Sequence, residues 1–262
     1  VQSRTLKLLD DLAADERAQL TSAEVRERLG LSSQAAANLL SRLVDAGLLD
    51  RVARGVYAPR PLGQLGTRAA SEDVTLAVGA VFGGEPHRIA YRSALAHHDL
   101  LVHPARSIQV ALPRRSKLTE ISGRRLQPIY EPAETVMVGT QSAGHGSMVS
   151  LVERAMLESA SRLDLCGGWI TLAGALRHAD LDPQGLAELA GRLDVGVAVR
   201  RIASIAEVLG LTGLADALPA PPRDTRLLAL DAQAPVEEAW TDTRWRVRWP
   251  MRSHQARALI DA

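Results

Sequence analysis

SAEVRERLGLSSQAAANLLSRL, residues 22–43, is the stretch that decides how this chain begins to fold. Thr21 or Ser22 is placed to cap a helix, and Glu24 stands where it closes a capping box. Gly30 breaks that helix, and Ser32 or Ser33 caps a second one that runs until Gly47. Val25, Leu29, Leu31, Ala36 and Leu39 fall where two helices crossing steeply through a tight turn need small or aliphatic contacts. The second helix then turns Ser33, Gln34, Ala37, Asn38, Ser41 and Arg42 outward. These residue types read major-groove edges: Gln and Asn pair with adenine, Arg with guanine or phosphate, and an alanine methyl meets a thymine methyl. The helix N-terminus adds free N–H groups and the hydroxyls of Ser32 and Ser33, which suit a backbone phosphate.

Upstream, Leu6, Leu8, Leu9 and Leu12 share one side of a helix predicted over 5–15. Downstream, LLDRVA (48–53) and GVYAP (55–59) read as two strands joined at Arg54-Gly55. A helix-turn-helix followed at once by a hairpin is the winged form, and it sets Arg51 and Arg54 near the wing tip, in reach of phosphate or the minor groove. The alternative is a three-helix bundle with no DNA role, since a polar outer face is what any surface helix has. Arg26 stands where the tightest helix-turn-helix units prefer alanine. Asp45, Asp50 and Glu27 hold the segment close to neutral, which predicts modest affinity for a lone module.

The chain divides by pattern into a winged helix-turn-helix DNA-binding domain (1–60), a linker rich in Pro, Gly, Ser and Thr (61–72, PLGQLGTRAASE) and an α+β domain (73–262), with a possible subdomain split near 141–146. The expected fold class is therefore α+β, a winged helix-turn-helix followed by a larger mixed domain. Within 73–262 the pattern predicts a helix near 73–82 and another in YRSALAHHDLL capped by Ser93. It predicts strands at SIQVALP (107–113), QPIYEP (127–132) and TVMVGT (135–140), helices across 147–210, and strands again at RLLALD (226–231) and RWRVRW (244–249).

With 262 residues, 46% hydrophobic and 23% charged, the composition is that of a globular protein, and no apolar run reaches the ~18–20 residues of a membrane-spanning helix. The N-terminal VQSRTLKLLDDLAADE carries acids where a signal peptide has an apolar core, which predicts a cytoplasmic protein. One cysteine, Cys166, excludes an internal disulfide and a multi-cysteine zinc site, and reads as a buried structural thiol. The net charge of +1 argues against purely electrostatic binding, so any nucleic-acid site is local. Of 31 basic residues only Lys7 and Lys117 are lysine, and arginine's fork suits phosphate and guanine.

Arg114, Arg115 and Lys117, followed by Arg124 and Arg125, form either a second DNA-contacting patch or a solvated loop. In RWRVRW, Arg244, Arg246 and Arg248 alternate with Trp245, Val247 and Trp249. That is a strand with its tryptophans in the core, or a basic surface for a nucleic acid or acidic partner. His97 and His98 point about 100° apart on a helix, and with His103 they lack a completing carboxylate or thiolate, so no metal is expected. GQLG (63–66) and GHGS (144–147) lack the lysine and setting of a phosphate loop. No cofactor and no catalytic constellation is expected.

RVARGVYAP, YRSALAHHDLLVHP, GGW, LAGALRHA, DPQGLAELAGRL and AVRRIASIAEVLG, taken in this order, resemble the AbiEi-type antitoxins of bacterial type IV toxin–antitoxin pairs. The arginine- and alanine-rich composition is similar to the actinobacterial, mycobacterial branch. The resemblance implies an N-terminal winged helix that binds inverted repeats upstream of its operon and represses it. It also implies a C-terminal domain that serves antitoxicity and cooperative DNA binding, and a cognate toxin that is nucleotidyltransferase-like. Carried over by position, the reading helix is 33–45, the wing is 48–58, and Arg200 and Arg201 fall in the family's basic pair. The expected partners are double-stranded DNA, bound by two copies at an inverted repeat, and the toxin, with no membrane. The other readings are a protein-interaction module that neutralises the toxin by direct binding, and an enzyme of unrecognised fold within 73–262.

Overall fold

The computed structural model describes residues 19–60, 65, 73–103, 105–234 and 239–261. The helix expected at 5–15 lies outside the described residues, as does the linker 61–72 apart from Leu65. The fold is mixed α+β, in two compact units: Val1–Ile89 with Arg106–Val149, and Ala90–Ala105 with Ser150–Ala262. Helices shorter than eight residues are named below by their residues.

The first unit opens with β1 (Leu20–Thr21), α1 (Ser22–Leu29), α2 (Ser33–Asp45), β2 (Leu49–Ala53) and β3 (Val56–Pro59). Thr21 caps α1: its hydroxyl accepts from Glu24 N at 3.2 Å while the Glu24 carboxylate accepts from Thr21 N at 2.9 Å. Gly30 ends the helix at φ 62°, a left-handed conformation that costs a residue without a Cβ nothing. Ser32 caps α2 by accepting from Ala35 N at 3.2 Å. The strands form one antiparallel sheet in the order β1-β3-β2. Between helices and sheet lie Leu20, Val25, Ala36, Leu39, Leu40, Leu43 and Leu49, with Leu29, Leu31 and Tyr57 packed against them. A side chain such as Leu40, wholly buried, contributes about 1.5–3 kcal/mol through that burial.

The segment 19–60 shares its unit with α3 (Val74–Phe82) and a six-stranded mixed sheet. The sheet is built from β4 (Arg88–Ile89), β5 (Ile108–Leu112), β6 (Glu120–Ile121), β7 (Arg124–Tyr130), β8 (Thr140–Gly144) and β9 (Ser147–Ser150), in the order β6-β7-β5-β4-β9-β8. Compactness thus runs across the expected sequence boundaries because α3 packs on β2 and β3, and Ser122 N donates to Val52 O at 2.8 Å.

TVMVGT is not a strand. Residues Ala133–Val136 form a single helical turn, and pairing resumes only at Thr140. Pro132 opens the turn, its carbonyl accepting from Thr135 N and Val136 N. The fully buried Arg88 holds the turn in place, donating to Val136 O at 2.5 Å and to the Glu131 carboxylate at 2.6 Å. This partnership across more than forty residues overrides the local β-propensity.

GHGS is the β8–β9 turn, with Gly144, His145 and Gly146 all at positive φ. It seats against α3, where a Cβ added to Gly79 would stand 1.9 Å from His145 O. Ser147 Oγ donates to Thr75 O at 2.6 Å. Burial pushes the Asp73 carboxyl up, but the Thr75 hydroxyl and the Leu76 and Thr75 amides outweigh it and hold its pKa below the usual carboxylate range.

In the second unit, α4 (Val152–Ser161), α5 (Trp169–His178), α6 (Pro183–Leu193), α7 (Gly196–Leu209) and α8 (Ser253–Asp261) carry most of the packing. A small three-stranded sheet, β10 (Leu228–Ala229), β11 (Trp240–Asp242) and β12 (Val247–Trp249), completes it in the order β10-β12-β11. The helix Tyr91–His97 begins two residues before Ser93, which is buried inside it and is not the cap. The buried Glu158 carboxylate accepts from Tyr91 N at 2.5 Å and from Ser150 Oγ at 2.9 Å, a cap supplied from 67 residues away. The helical reading of 147–210 holds from Val152; its first four residues are β9.

RLLALD and RWRVRW pair only at Leu228–Ala229 and Val247–Trp249, because 243–246 turn, with Arg246 at φ 57°. The alternation in burial survives: Trp245, Val247 and Trp249 are fully buried. Trp249 stacks edge-on against Trp169 at 5.4 Å and lies 6.0 Å from Trp240. Arg244 pairs with Glu207 and Asp216, both at 2.8 Å, and Arg246 Nε donates to Thr225 O.

Candidate nucleic-acid interface

α2 divides cleanly by burial. Ala36, Leu39, Leu40 and Leu43 are buried, while Ser33, Gln34, Ala37, Asn38, Ser41 and Arg42 are all exposed. The spacing follows from 3.6 residues per turn, which sends positions four apart to one side. The outward side chains are ordered among themselves. Gln34 Nε2 donates to Asn38 Oδ1 at 3.0 Å, and Arg42 Nε donates to Asn38 O at 3.3 Å. Three long polar side chains therefore lie in register along two turns of the helix, with the amide donors and acceptors of Gln34 and Asn38 facing solvent. Ser32, also exposed, stays engaged at the cap.

The hairpin β2–β3 turns through Arg54-Gly55, with Gly55 at φ 76°. Ser22 N donates to Gly55 O at 3.0 Å, tying the turn to the start of α1. Arg51 and Arg54 are exposed. The sequence left this tie unmarked, because it uses backbone groups alone.

Electrostatics differ from a residue-by-residue count. Asp50 is buried and bound to the equally buried Arg60, whose Nε and Nη2 donate to one carboxylate oxygen at 2.9 and 2.7 Å. It therefore places no acid on the surface, although the sequence counts it among the acids that hold the segment near neutral. Of the exposed charges in 19–60, Arg26, Arg28, Arg42, Arg51 and Arg54 face only Glu27 and Asp45. Arg26 itself points to solvent, leaving the turn to Gly30 and Leu31, whose N donates to Arg26 O at 3.0 Å.

In the basic loop after β5, Arg114, Arg115 and Lys117 are exposed. Arg114 is committed: its Nε donates to Glu85 Oε2 at 2.7 Å and its Nη2 to Glu85 Oε1, and this pairing raises its pKa further.

His98, Cys166, Arg200 and Arg201 are tied into the structure around them. His98 Nε2 lies 2.7 Å from Ser150 O, and the His97 and His98 rings meet edge to face. Burial pushes the Cys166 thiol up to about 11, which leaves it protonated and poorly nucleophilic. Arg200 donates to the carbonyls of Trp245, Arg226 and Arg246, bracing the turn before β12. Arg201 donates to Ala160 O and Ser161 O at the end of α4, where helix carbonyls lack partners. Both arginines of the basic pair hold backbone.

Residues 7–60 match a family model described as transcriptional regulator, AbiEi antitoxin. The matched AbiEi segment takes in both helices, the turn at Gly30 and the three-stranded sheet. AbiEi antitoxins form a family of regulators, not of enzymes. Across the whole chain the fold is similar to the crystal structure of the RV2827C protein from Mycobacterium tuberculosis, with a TM-score of 0.68. The likeness covers 99% of this chain and 95% of that one at 18% identity. No curated protein matches. Among the described residues no helix is long and apolar enough to cross a membrane.

Proposed function

We propose that this chain is a cytoplasmic, sequence-specific DNA-binding autorepressor, the antitoxin of a type IV toxin–antitoxin pair, and has no enzymatic role. On this reading 19–60 is a winged helix-turn-helix. α2 enters the major groove, and Gln34, Asn38 and Arg42 read base edges, with Ala37 against a thymine methyl. Ser32, Ser33 and Ser41, with the N–H groups of the first turn, hold the phosphate backbone. Arg51 and Arg54 steady the wing. The observation that carries the reading is the outward face of α2: six exposed positions of DNA-reading chemistry, backed by a helix side wholly given to the core.

One such helix reads about 4–5 base pairs, too few for specificity in a genome. Two copies on an inverted repeat double the discrimination, at about 1–3 kcal/mol per pair read. Selection from a randomised duplex library tests this: the expected product is a repeated half-site in inverted orientation. Enrichment of no sequence refutes sequence-specific binding.

A second reading places direct toxin binding on the second unit. It rests on an open groove of about 640 Å³ between 99–103, α5 and α8, where Val102, Ile170 and Leu259 are exposed apolar side chains. Co-purification with the nucleotidyltransferase-like toxin in the absence of DNA would favour it. Loss of that complex on Ile170→Asp would locate the contact.

A further inference from the structure

β2 is the outer strand of β1-β3-β2, so one row of its backbone groups faces away from β3. An open edge of this kind needs a cover. Ser122, in the turn of the β6–β7 hairpin, supplies one by donating its N–H to Val52 O at 2.8 Å. The turn is tight, with Ser122 and Gly123 at φ 48° and 71°. Both hairpins belong to the first compact unit.

The charges around this bond are not those of a simple cover. Arg51 and Arg54 stand one and two positions from Val52; Arg124 and Arg125 stand two and three positions from Ser122. At about 3.3 Å per extended residue, all four backbones lie within about 10 Å of one hydrogen bond. Arg51, Arg54 and Arg125 are exposed and Arg124 is half-buried. Over the same span the acids are Asp50, buried against Arg60, and Glu120, exposed across the ladder from Arg125. Arginines thus dominate the seam between the two hairpins.

We propose that the β6–β7 hairpin is a second backbone-gripping element, in which Arg125, on the face of β7 opposite the buried Leu126, contacts duplex phosphates next to those reached by the wing. This rests on the DNA-binding reading above and extends it beyond the AbiEi-matched segment. Phosphate contacts carry no base information. The hairpin therefore lengthens the footprint and steepens the salt dependence without altering which sequence is preferred.

The test uses the full chain and a random-sequence duplex of about 30 base pairs, with binding followed by fluorescence anisotropy between about 50 and 200 mM salt. Each lost phosphate contact lowers the slope of log K against log salt by about 0.9. Arg125→Gln, at an exposed site, is expected to lower it by about 1. Glu120→Gln is expected to tighten binding, a gain that misfolding does not produce. Slopes and affinities equal to wild type in Arg125→Gln and Glu120→Gln, while Arg51→Gln with Arg54→Gln lowers the slope, would overturn the hairpin's role and leave the wing's intact. A wild-type chain that binds neither this duplex nor any selected one refutes the DNA reading, and the hairpin proposal with it.

Discussion

Asn38→Ala isolates base reading from folding. Asn38 is exposed at the middle of α2, and its Oδ1 accepts from Gln34 Nε2 at 3.0 Å. Losing an exposed pair at this spacing costs a helix about 0.2–0.5 kcal/mol, while alanine's higher helix propensity gives back a similar amount. Stability is therefore expected to stay within about 0.5 kcal/mol of wild type. Binding behaves differently. A bidentate asparagine–adenine contact is worth about 1–3 kcal/mol. Freeing Asn38 from Gln34 takes up a few tenths of that. The loss per half-site is then about 3- to 100-fold in affinity, and an inverted repeat bound by two copies feels it twice. The assay is a titration of the library-selected duplex at fixed salt, beside thermal unfolding of the same sample. Unchanged affinity for both Asn38→Ala and Arg42→Ala in a folded protein would refute the assignment of α2 as the reading helix.

Ser32→Ala removes the α2 cap and is expected to lower stability by about 0.5–2 kcal/mol in urea denaturation, since Ala35 N loses its acceptor. Arg60→Ala takes the guanidinium away from the buried Asp50 carboxylate; a loss of about 3–5 kcal/mol is expected, and Asp50→Asn with Arg60→Met should recover part of it. His87 is buried and held neutral, Nδ1 donating to Glu85 O while Nε2 accepts from Met148 N, and burial drives its pKa below the ordinary 6.5. The unfolded chain takes up this proton first. The contribution of His87 to stability is thus complete above about pH 6.5 and declines as pH falls toward its folded pKa. Circular dichroism melts at pH 5.5 and 7.5 check it: His87→Gln should narrow the difference, and an unchanged difference would refute the attribution.

What the sequence disclosed and what it withheld divide by range. Thr21 with Glu24, Gly30, Ser32 and Gly55 act on neighbours within a few residues, so capping and turn chemistry alone placed two helices and a hairpin. The outward face of α2 was readable for the same reason. TVMVGT departs from its strand-like pattern because its conformation is decided by Arg88 and Pro132. The start of Tyr91–His97 was misplaced because Glu158 does the work a nearby serine was expected to do. Asp50 was weighed as a surface acid because nothing local announces that Arg60, ten positions on, folds back to it. The covering of β2 by Ser122 belongs with these: it joins a strand to a turn seventy residues away through main-chain atoms alone.

All four tryptophans, Trp169, Trp240, Trp245 and Trp249, belong to the second unit, three of them within one stacked group. Intrinsic emission excited at the indole band therefore watches only that half of the molecule. A denaturation curve recorded this way draws no direct signal from the module around α2, whose segment 19–60 holds no indole. Tyr57, half-buried on β3 opposite Arg51, is the natural place to install an indole reporter.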